Sequence, residues 1–292
     1  MSDTMSDNPS SAPFTGDLYR PTFVAVAPNG GRRSKEDHPA LPVTPQESAA
    51  VAVDAVEAGA AMIHLHVRGA DGGHSLDPDL YREAVAAVRR AVGSRLVVQI
   101  TSESVGLYGP EQQIATIKAV RPEAVSMALR EIAPQEADAK RLHDVLEFCG
   151  RERIAPQIIV YDRTDAERLA RWVRAGVVDG ASTSVLFVGG RYVPPTPAHP
   201  AELVPLIEAV AGEMRDFMIC AFGPRETGCG VLAALLGGHV RCGLENNLHM
   251  PDGSTAPDNG AIVRATVGAL RAAGLRIGDA NALRSLWGIE GR

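Results

Sequence analysis

The feature that most constrains this chain is an alternation of short apolar runs with helical patterns, repeated eight times along the sequence. Each run is rich in β-branched and other apolar residues, which is typical of strands that are buried on both faces of a sheet. The eight runs are residues 23–26, 62–67, 96–101, 124–129, 157–161, 182–188, 217–222 and 239–244. They predict eight parallel strands.

Helical patterns separate these runs, at residues 44–58, 79–92, 110–119, 135–149, 164–175, 200–214, 228–236 and, after the last run, 259–273. Eight strands that alternate with eight helices predict an α/β protein of the (β/α)8 TIM barrel type. The competing architecture is an open doubly wound sheet, whose first unit carries the G-x-G-x-x-G dinucleotide fingerprint. The segment Asn29-Gly30-Gly31 does not match that fingerprint, so the barrel is favoured.

Local chemistry marks several helix boundaries. Thr44, Pro45 and Glu47 follow the pattern of a capping box, in which Thr44 caps the first turn and Glu47 returns a hydrogen bond. Gly59 and Gly176 follow the last turns of two helical patterns, where glycine readily adopts a left-handed cap. These signals predict one helix that starts near residue 45 and stops near residue 58.

The chain of 292 residues exceeds the usual size of one domain, but (β/α)8 barrels reach about 250 residues as a single domain. Residues 1–20 are rich in Ser, Asp and Pro and lack the apolar core of a secretory signal. We therefore expect residues 1–20 to form a disordered leader and residues 21–292 to form a single (β/α)8 catalytic domain.

Composition and charge exclude several classes of function. The formal net charge is −6 and no long Lys- or Arg-rich run occurs, so we expect no nucleic-acid partner. The longest apolar stretch, residues 177–188, is interrupted by polar residues and is too short to cross a bilayer, so we expect no membrane partner. The four cysteines lack C-x-x-C spacing, which indicates reduced thiols and a cytoplasmic protein.

The second run contains a His-x-His pattern close to its end. Because side chains alternate along a strand, His64 and His66 share one face and can both point towards the barrel axis. Chemistry in a parallel barrel collects at the carboxyl ends of the strands, which is where this pair lies. A single histidine is more often a hydrogen-bonded structural residue, but this paired spacing favours a bound metal.

A third metal ligand is predicted at the end of the eighth run. The eighth strand of a closed barrel lies beside the first, which brings Glu245 to the same mouth as His64 and His66. Two imidazoles and one carboxylate leave coordination positions for water or substrate, as in a catalytic rather than a structural site. The alternative for Glu245 is a structural role, as a partner of Arg241 or as a helix cap.

Other polar residues at the predicted mouth are candidates for catalysis or substrate binding. Arg241 shares the inward face with Glu245, where it is suited to hold that carboxylate, to clamp an anionic substrate or to act as a structural arginine. Ser102 and Ser126 offer hydroxyl groups that suit a carboxylate or a carbonyl, although such residues also occur in turns without a function. The residues that we expect to bind substrate are Asn29, Ser102, Ser126 and Asn246.

Several sequence blocks together resemble the β-keto acid cleavage enzyme family. They are Asn29-Gly30, PALPVTPQE at 39–47, GAAMIHLHVR at 59–68, GGHVRCGLENNL at 237–248 and the tail ALRSLWG at 282–288. The likeness extends over residues 22–289, and the blocks are specific in combination rather than singly.

This resemblance implies a zinc-dependent (β/α)8 barrel, usually a homotetramer, that converts a β-keto acid and acetyl-CoA into acetoacetate and a new acyl-CoA. The metal ligands of the family fall on His64, His66 and Glu245, and its catalytic arginine falls on Arg241. Zinc in this role chelates the keto and carboxylate oxygens and stabilises enolate-like charge.

Three segments at the predicted mouth depart from the family pattern. The family has an Asp that is important for catalysis after the ligand glutamate, whereas this chain has Asn246, and an amide cannot act as a base. The loop after the third strand also differs, and so does the fifth strand, which lacks the acidic residues of the family. We therefore consider Glu103 and Glu131 as replacements for the lost carboxylate, and we expect a neutral or anionic substrate tail.

Three functions are compatible with the sequence. The first, which we favour, is a zinc-dependent β-keto acid cleavage enzyme that uses acetyl-CoA. The second is a metal-dependent hydrolase or lyase on the same barrel that does not use acetyl-CoA, and the third is a non-catalytic protein that binds a metabolite. Two histidines with one carboxylate also suit iron, manganese or cobalt, so zinc is implied by the resemblance alone.

Overall fold

The computed structural model describes residues 20–291, so residues 1–19 of the predicted leader lie outside the described part. Within residues 20–291 the strands are short and, apart from one small hairpin, almost completely buried. They are β1 (Val24–Val26), β2 (Met62–Leu65), β3 (Val67–Arg68), β4 (His74–Ser75), β5 (Val97–Thr101), β6 (Ala124–Ala128), β7 (Ala155–Val160), β8 (Ser184–Gly189), β9 (Phe217–Ala221) and β10 (His239–Cys242).

Strands β1, β2 and β5 to β10 close into a parallel barrel. The barrel closes at β1, which pairs with β10 on one side and with β2 on the other. In this register Ala25 lies opposite both Arg241 and Met62. The prediction of a (β/α)8 barrel is confirmed, and the carboxyl ends of the first, second and last barrel strands meet at one mouth.

Helices connect successive barrel strands, and two more helices follow the last strand. They are α1 (Pro45–Ala58), α2 (Pro78–Val92), α3 (Pro110–Val120), α4 (Leu129–Ile132), α5 (Ala139–Arg151), α6 (Arg163–Arg174), α7 (Pro200–Ala209), α8 (Glu226–Leu235), α9 (Asn259–Ala272) and α10 (Ala280–Trp287). The predicted capping box of α1 is present, because Thr44 Oγ1 accepts from the Glu47 amide at 3.2 Å and Glu47 Oε2 accepts from the Thr44 amide at 3.0 Å. Gly59 ends α1 with a φ of 101°, as its position predicts.

The second predicted strand differs from the observed one. Instead of one run over residues 62–67, β2 ends at Leu65 and the chain continues into β3, which pairs antiparallel with β4. The cause is a Gly- and Asp-rich turn at residues 69–73, in which Asp71 Oδ1 accepts from the Gly73 amide at 2.9 Å. The hairpin places His74 beside His66, with the ring centroids 5.3 Å apart.

Helix α10, which the helical patterns do not predict, closes the amino-terminal end of the barrel. Its side chains Leu283 and Trp287 join an apolar cluster inside the barrel that includes Met62, Leu186 and Met218. A larger apolar cluster fills the space between the strands and the surrounding helices. Because this packing fills the lower part of the barrel, open space for a ligand remains at the carboxyl-terminal mouth.

A buried ion-pair network anchors α10 to the barrel. Glu123 Oε1 accepts from Arg284 Nε at 2.6 Å, and Glu123 Oε2 accepts from Arg89 Nη2 and, at 2.9 Å, from the Val98 amide. The Arg284 guanidinium also donates to the carbonyl oxygen of Leu96 at 2.8 Å. The side chains of Glu123 and Arg284 are about 5% exposed, so the pair is screened from water.

Replacing Arg284 with alanine is expected to lower the free energy of unfolding by about 3 kcal/mol, because it leaves the buried Glu123 carboxylate without one of its arginine partners. At about 2–4 °C per kcal/mol, the midpoint of thermal unfolding should fall by roughly 6–12 °C. Arg271, which is exposed in the last turn of α9, provides the matched control, and its replacement should change the stability by less than about 0.5 kcal/mol. Equal midpoints for the two variants would contradict the anchoring role of Arg284.

Among residues 20–291, no helix combines the length and the apolar character that are needed to span a bilayer. The cytoplasmic location and the division into a leader and one domain stay predictions.

Candidate metal centre

His64, His66 and Glu245 converge at the carboxyl-terminal mouth of the barrel. His64 belongs to β2, His66 follows that strand, and Glu245 follows β10. His64 Nε2 lies 3.1 Å from His66 Nε2, and Glu245 Oε2 lies 3.8 Å from the first nitrogen and 3.5 Å from the second. All three side chains are buried, so the cluster is shielded from bulk water.

These distances fit a single cation. Ligand atoms at about 2.0–2.1 Å from a tetrahedral zinc ion lie about 3.3 Å from one another, which is close to the three observed separations. Within the described residues Glu245 Oε2 is buried without a hydrogen-bond partner, although it faces both imidazole nitrogens. An unpaired carboxylate oxygen is unfavourable in such surroundings, so the arrangement is consistent with a divalent metal ion.

A polar chain through the barrel interior orients the His64 ring. His64 Nδ1 donates to Gln99 Oε1 at 2.7 Å, Gln99 Nε2 donates to Gln157 Oε1 at 3.2 Å, and Gln157 Nε2 donates to Ser184 Oγ at 3.3 Å. The direction of these bonds leaves the proton of His64 on Nδ1 and directs the lone pair of Nε2 towards Glu245.

Burial lowers the pKa of His64 and of His66 well below the usual histidine range. The Arg241 guanidinium adds to this effect at His64, and the neighbouring His64 adds to it at His66. Both imidazoles are therefore neutral at neutral pH, and their lone pairs are free to bind a cation. Burial also raises the pKa of Glu245, although Arg241 opposes that rise.

A tight turn after β10 directs Glu245 into the site. Gly243 has a φ of +135°, and a Cβ at this position would lie 2.5 Å from the carbonyl oxygen of Ala27. Only glycine fits this turn without strain. The structure thus differs from the predicted run 239–244, because β10 ends at Cys242 and Glu245 reaches the mouth through the turn rather than through strand alternation.

Arg241 holds the oxygen of Glu245 that does not face the histidines. Its Nη2 donates to Glu245 Oε1 at 3.0 Å and to Asn246 Oδ1 at 3.2 Å, and it lies 3.3 Å from Cys220 Sγ. Arg241 is 4% exposed. The guanidinium therefore orients Glu245 and places a permanent positive charge beside the cluster.

A small cavity of about 50 Å³ adjoins the cluster. Its walls combine apolar or aromatic side chains, from Ile159, Tyr161, Val188, Tyr192 and Phe222, with polar side chains, from His64, Thr101, Glu103, Arg241, Glu245 and Asn246. Any substrate group that occupies this cavity therefore meets apolar side chains together with two of the three candidate ligands, His64 and Glu245.

Glu103 is the carboxylate that lines this cavity besides Glu245. Its Oε2 lies 3.9 Å from His66 Nε2. Burial, together with the nearby Glu245 and Glu131, raises the pKa of Glu103 to about 7. Glu131 does not line the cavity, and its two oxygens accept from the amide and the hydroxyl of Ser104 at 2.9 Å and 3.0 Å.

Two of the predicted substrate-binding residues are asparagines. Asn246 lines the cavity, where its oxygen accepts from Arg241. Asn29 instead donates from Nδ2 to the carbonyl oxygens of Pro42 at 2.9 Å and His66 at 3.2 Å. Asn29 thus fixes the backbone of His66 and is not among the residues that line the cavity.

The two predicted serines form hydrogen bonds between β6 and the end of β5. Ser102 Oγ donates to the carbonyl oxygen of Ser126 at 3.1 Å, and Ser126 Oγ donates to Thr101 Oγ1 at 3.3 Å. Both serines are fully buried, and neither lines the cavity beside the cluster. A role for them in substrate binding stays a prediction.

Sequence reasoning missed three residues around the cluster. Gln99 had a usable signal, because it is a polar residue in an otherwise apolar strand and lies in register with His64. His74 donates from Nε2 to the carbonyl oxygen of Glu103 at 2.7 Å, and it reaches this place through the unpredicted hairpin. Tyr192, whose hydroxyl donates to the carbonyl oxygen of Glu245, lies in a loop without any pattern.

The fold and the cluster together define a parallel (β/α)8 barrel with a candidate centre of two histidines and one glutamate. Residues 21–289 match the family described as beta-keto acid cleavage enzyme, and the chain belongs to this family.

Curated relatives agree with this assignment, and a solved structure agrees with the fold. The chain is 26% identical over 275 residues to a 3-keto-5-aminohexanoate cleavage enzyme of Acetoanaerobium sticklandii, which covers 92% of this chain and 98% of the relative. It is 25% identical over 285 residues to a 3-oxoadipate:acetyl-CoA acetyltransferase of Cupriavidus necator, with coverage of 93% and 96%. The structure of ObcA in ternary complex with a C4-CoA adduct and oxalate is similar in fold alone, with a TM-score of 0.71, 17% identity and coverage of 86% of this chain and 68% of ObcA.

Proposed function

We propose that this protein is a zinc-dependent enzyme that condenses a β-keto acid with acetyl-CoA to give acetoacetate and a new acyl-CoA. The observation that carries the proposal is the meeting of His64 Nε2, His66 Nε2 and the unpaired Glu245 Oε2 at the barrel mouth. Family membership and the acetyl-CoA in the name of the Cupriavidus necator relative support the reaction. A homotetrameric assembly is part of the proposal.

The proposed reaction exchanges one acyl group for another. The carbon between the keto and carboxyl groups loses a proton and bonds to the acetyl carbonyl carbon, and the coenzyme A thiolate leaves. The thiolate then attacks the original keto carbon, whose bond to the neighbouring carbon breaks, so that acyl-CoA is formed. The departing enolate takes up one proton, which replaces the proton removed at the start, and becomes acetoacetate. A bound divalent cation supplies Lewis-acid stabilisation of the charge that develops on the substrate oxygens.

The side chains of this protein would bind the cation and remove the substrate proton. His64, oriented by Gln99, and His66 are the proposed nitrogen ligands, and Glu245, oriented by Arg241, is the proposed oxygen ligand. We assign removal of the substrate proton to Glu103, because its carboxylate lines the cavity beside the cluster.

The cavity walls favour a substrate with a neutral tail. Ile159, Val188 and Phe222 offer no charge, and the carboxylates of the cavity lie at the cluster. The fifth barrel strand, β7 (Ala155–Val160), carries no acidic residue, so an ammonium group of a tail that lies along it would be desolvated without a carboxylate partner, which is unfavourable by several kcal/mol. We therefore expect at least roughly tenfold lower kcat/KM for an amino-bearing β-keto acid than for a neutral one of equal length.

The test is an acetyl-CoA assay against a panel of β-keto acids with neutral, anionic and cationic tails. We expect acetoacetate and the matching acyl-CoA to appear together, and only when both substrates are present. Product formation without acetyl-CoA would replace the proposal with a metal-dependent hydrolase or lyase. Binding of β-keto acids without any product would indicate a metabolite-binding protein, and a preference for the cationic tail would contradict the substrate assignment.

A further inference from the structure

A second and much larger cavity opens beside the cavity of the metal centre. It has a volume of about 520 Å³ and lies between the loop after β1, the loop between β8 and α7, and the segment after β10. Tyr192, Phe222 and Asn246 line both cavities. The two cavities therefore adjoin each other at these three residues.

Positive charge is concentrated in this larger cavity, which we call the arginine groove after Arg32, Arg33 and Arg191. The acidic residue among its lining side chains is Asp37, whose Oδ2 accepts from the amide of Ser34 at 2.8 Å. Over residues 20–291 none of the three guanidinium groups is ion-paired with a carboxylate within 4.0 Å. In a chain of net charge −6, such a local excess of cations favours an anionic ligand.

The arginine groove is tied directly to the metal centre. Arg33 Nε donates to the carbonyl oxygen of Glu245 at 3.1 Å, and the Tyr192 hydroxyl donates to the same oxygen. The guanidinium groups of Arg32 and Arg33 lie 5.9 Å and 5.6 Å from the centre of the Tyr192 ring. Tyr192 in turn packs edge-on against Phe222, with the centroids 4.5 Å apart, so these two rings form the boundary between the cavities.

The two cavities differ in size, so they suit different parts of a substrate. The cavity of about 50 Å³ beside the cluster has room for the reacting end of a substrate, whereas a nucleotide needs a site of roughly 300–1,000 Å³. The arginine groove has that size, and guanidinium groups pair with phosphate oxygens through two parallel hydrogen bonds.

We propose that the arginine groove binds the phosphate-bearing nucleotide portion of the thioester co-substrate. The thioester end then passes the Tyr192 and Phe222 rings and reaches the cavity beside His64, His66 and Glu245. This assignment rests on the proposed function, since it takes acetyl-CoA as the co-substrate. It identifies Arg32 and Arg191 as residues that select a phosphorylated thioester over a truncated one.

The first test compares two thioesters on the metal-loaded enzyme. Acetyl-CoA carries the phosphates, whereas S-acetyl-N-acetylcysteamine keeps the thioester and lacks the nucleotide. The ratio of kcat/KM for the two thioesters should fall by at least roughly tenfold in the Arg32→Ala/Arg191→Ala variant. The Arg32→Lys/Arg191→Lys variant should recover part of the ratio, and Arg151→Ala, an exposed arginine of α5 on another face, should leave it unchanged. An unchanged ratio in the alanine variant would overturn the assignment.

The second test measures binding of ADP by calorimetry, without a β-keto acid, so that it does not depend on turnover. Wild type should bind ADP, the alanine variant should bind it at least roughly tenfold more weakly, and added salt should weaken the binding. If wild type does not bind ADP, or if the alanine variant binds it equally well, the arginine groove is not the nucleotide site. If ADP binds as expected but acetyl-CoA is never consumed, the assignment of the arginine groove as a nucleotide site is supported and the proposed function is wrong.

Discussion

Replacement of both His64 and His66 with alanine is expected to remove the bound metal and the catalytic activity together. The purified wild type should contain about one divalent ion per chain and the double variant almost none, because one carboxylate alone is a weak site. Turnover should fall by more than the roughly 10–100-fold that is typical when only an outer partner of a ligand is lost. Metal content is measured by mass spectrometry on protein that has been dialysed against chelator-free buffer.

The matched control replaces two histidines outside the cluster, His143 and His199, which are exposed in α5 and before α7. This control should keep both its metal and its activity. Circular dichroism and thermal unfolding of the two double variants separate the loss of a ligand from the loss of the fold. A wild type without metal, or a His64→Ala/His66→Ala variant that keeps its metal, would refute the proposed centre.

The barrel could be predicted from sequence because its signals are local and repeated. Buried parallel strands appear as short apolar runs, and helices appear as apolar residues that recur every three to four positions. At the start of α1, Thr44 and Glu47 form reciprocal hydrogen bonds within one turn. The alternation of side chains along the predicted run 62–67 also places His64 and His66 on one face, although the observed β2 ends at Leu65. Each of these patterns involves only a few neighbouring residues, so it can be recognised without knowledge of the fold.

What the sequence missed depends on contacts between distant segments. Glu245 lies at the mouth as predicted, but the turn at Gly243 that brings it there, where a Cβ would clash with the carbonyl oxygen of Ala27, is not visible from strand periodicity. The hairpin that brings His74 to Glu103 follows from a turn whose chemistry was not recognised. Arg32 and Arg191 come from separate loops, so no sequence pattern connects them.

The sequence alone also could not decide whether Glu103 or Glu131 replaces the missing carboxylate. Both follow predicted strands at the mouth, and the sequence offers no reason to prefer either. In the structure the Glu131 carboxylate is occupied by the amide and hydroxyl of Ser104, whereas Glu103 faces the cavity beside His66. Because Asn246 supplies no carboxylate, Glu103 is the group that we expect to complete the chemistry.

Replacement of Glu103 with glutamine is therefore expected to lower kcat by roughly 10²–10⁴-fold, since the amide keeps the shape of the side chain but cannot accept a proton. The metal content should stay at about one ion per chain, because Glu103 is not one of the three proposed ligands. Glu131→Gln is the matched control, and it should change kcat by less than roughly tenfold, because Glu131 does not line the cavity.

Proton removal can be followed separately from acyl transfer. In deuterated buffer without acetyl-CoA, the wild type should catalyse exchange at the carbon between the keto and carboxyl groups, and proton magnetic resonance detects the loss of that signal. Glu103→Gln should lose the enzyme-dependent exchange, whereas Glu131→Gln should keep it. If Glu103→Gln loses the metal together with the exchange, Glu103 is a further ligand rather than the base. If it keeps both, another group removes the proton, and the loss of the family's aspartate at Asn246 is compensated elsewhere.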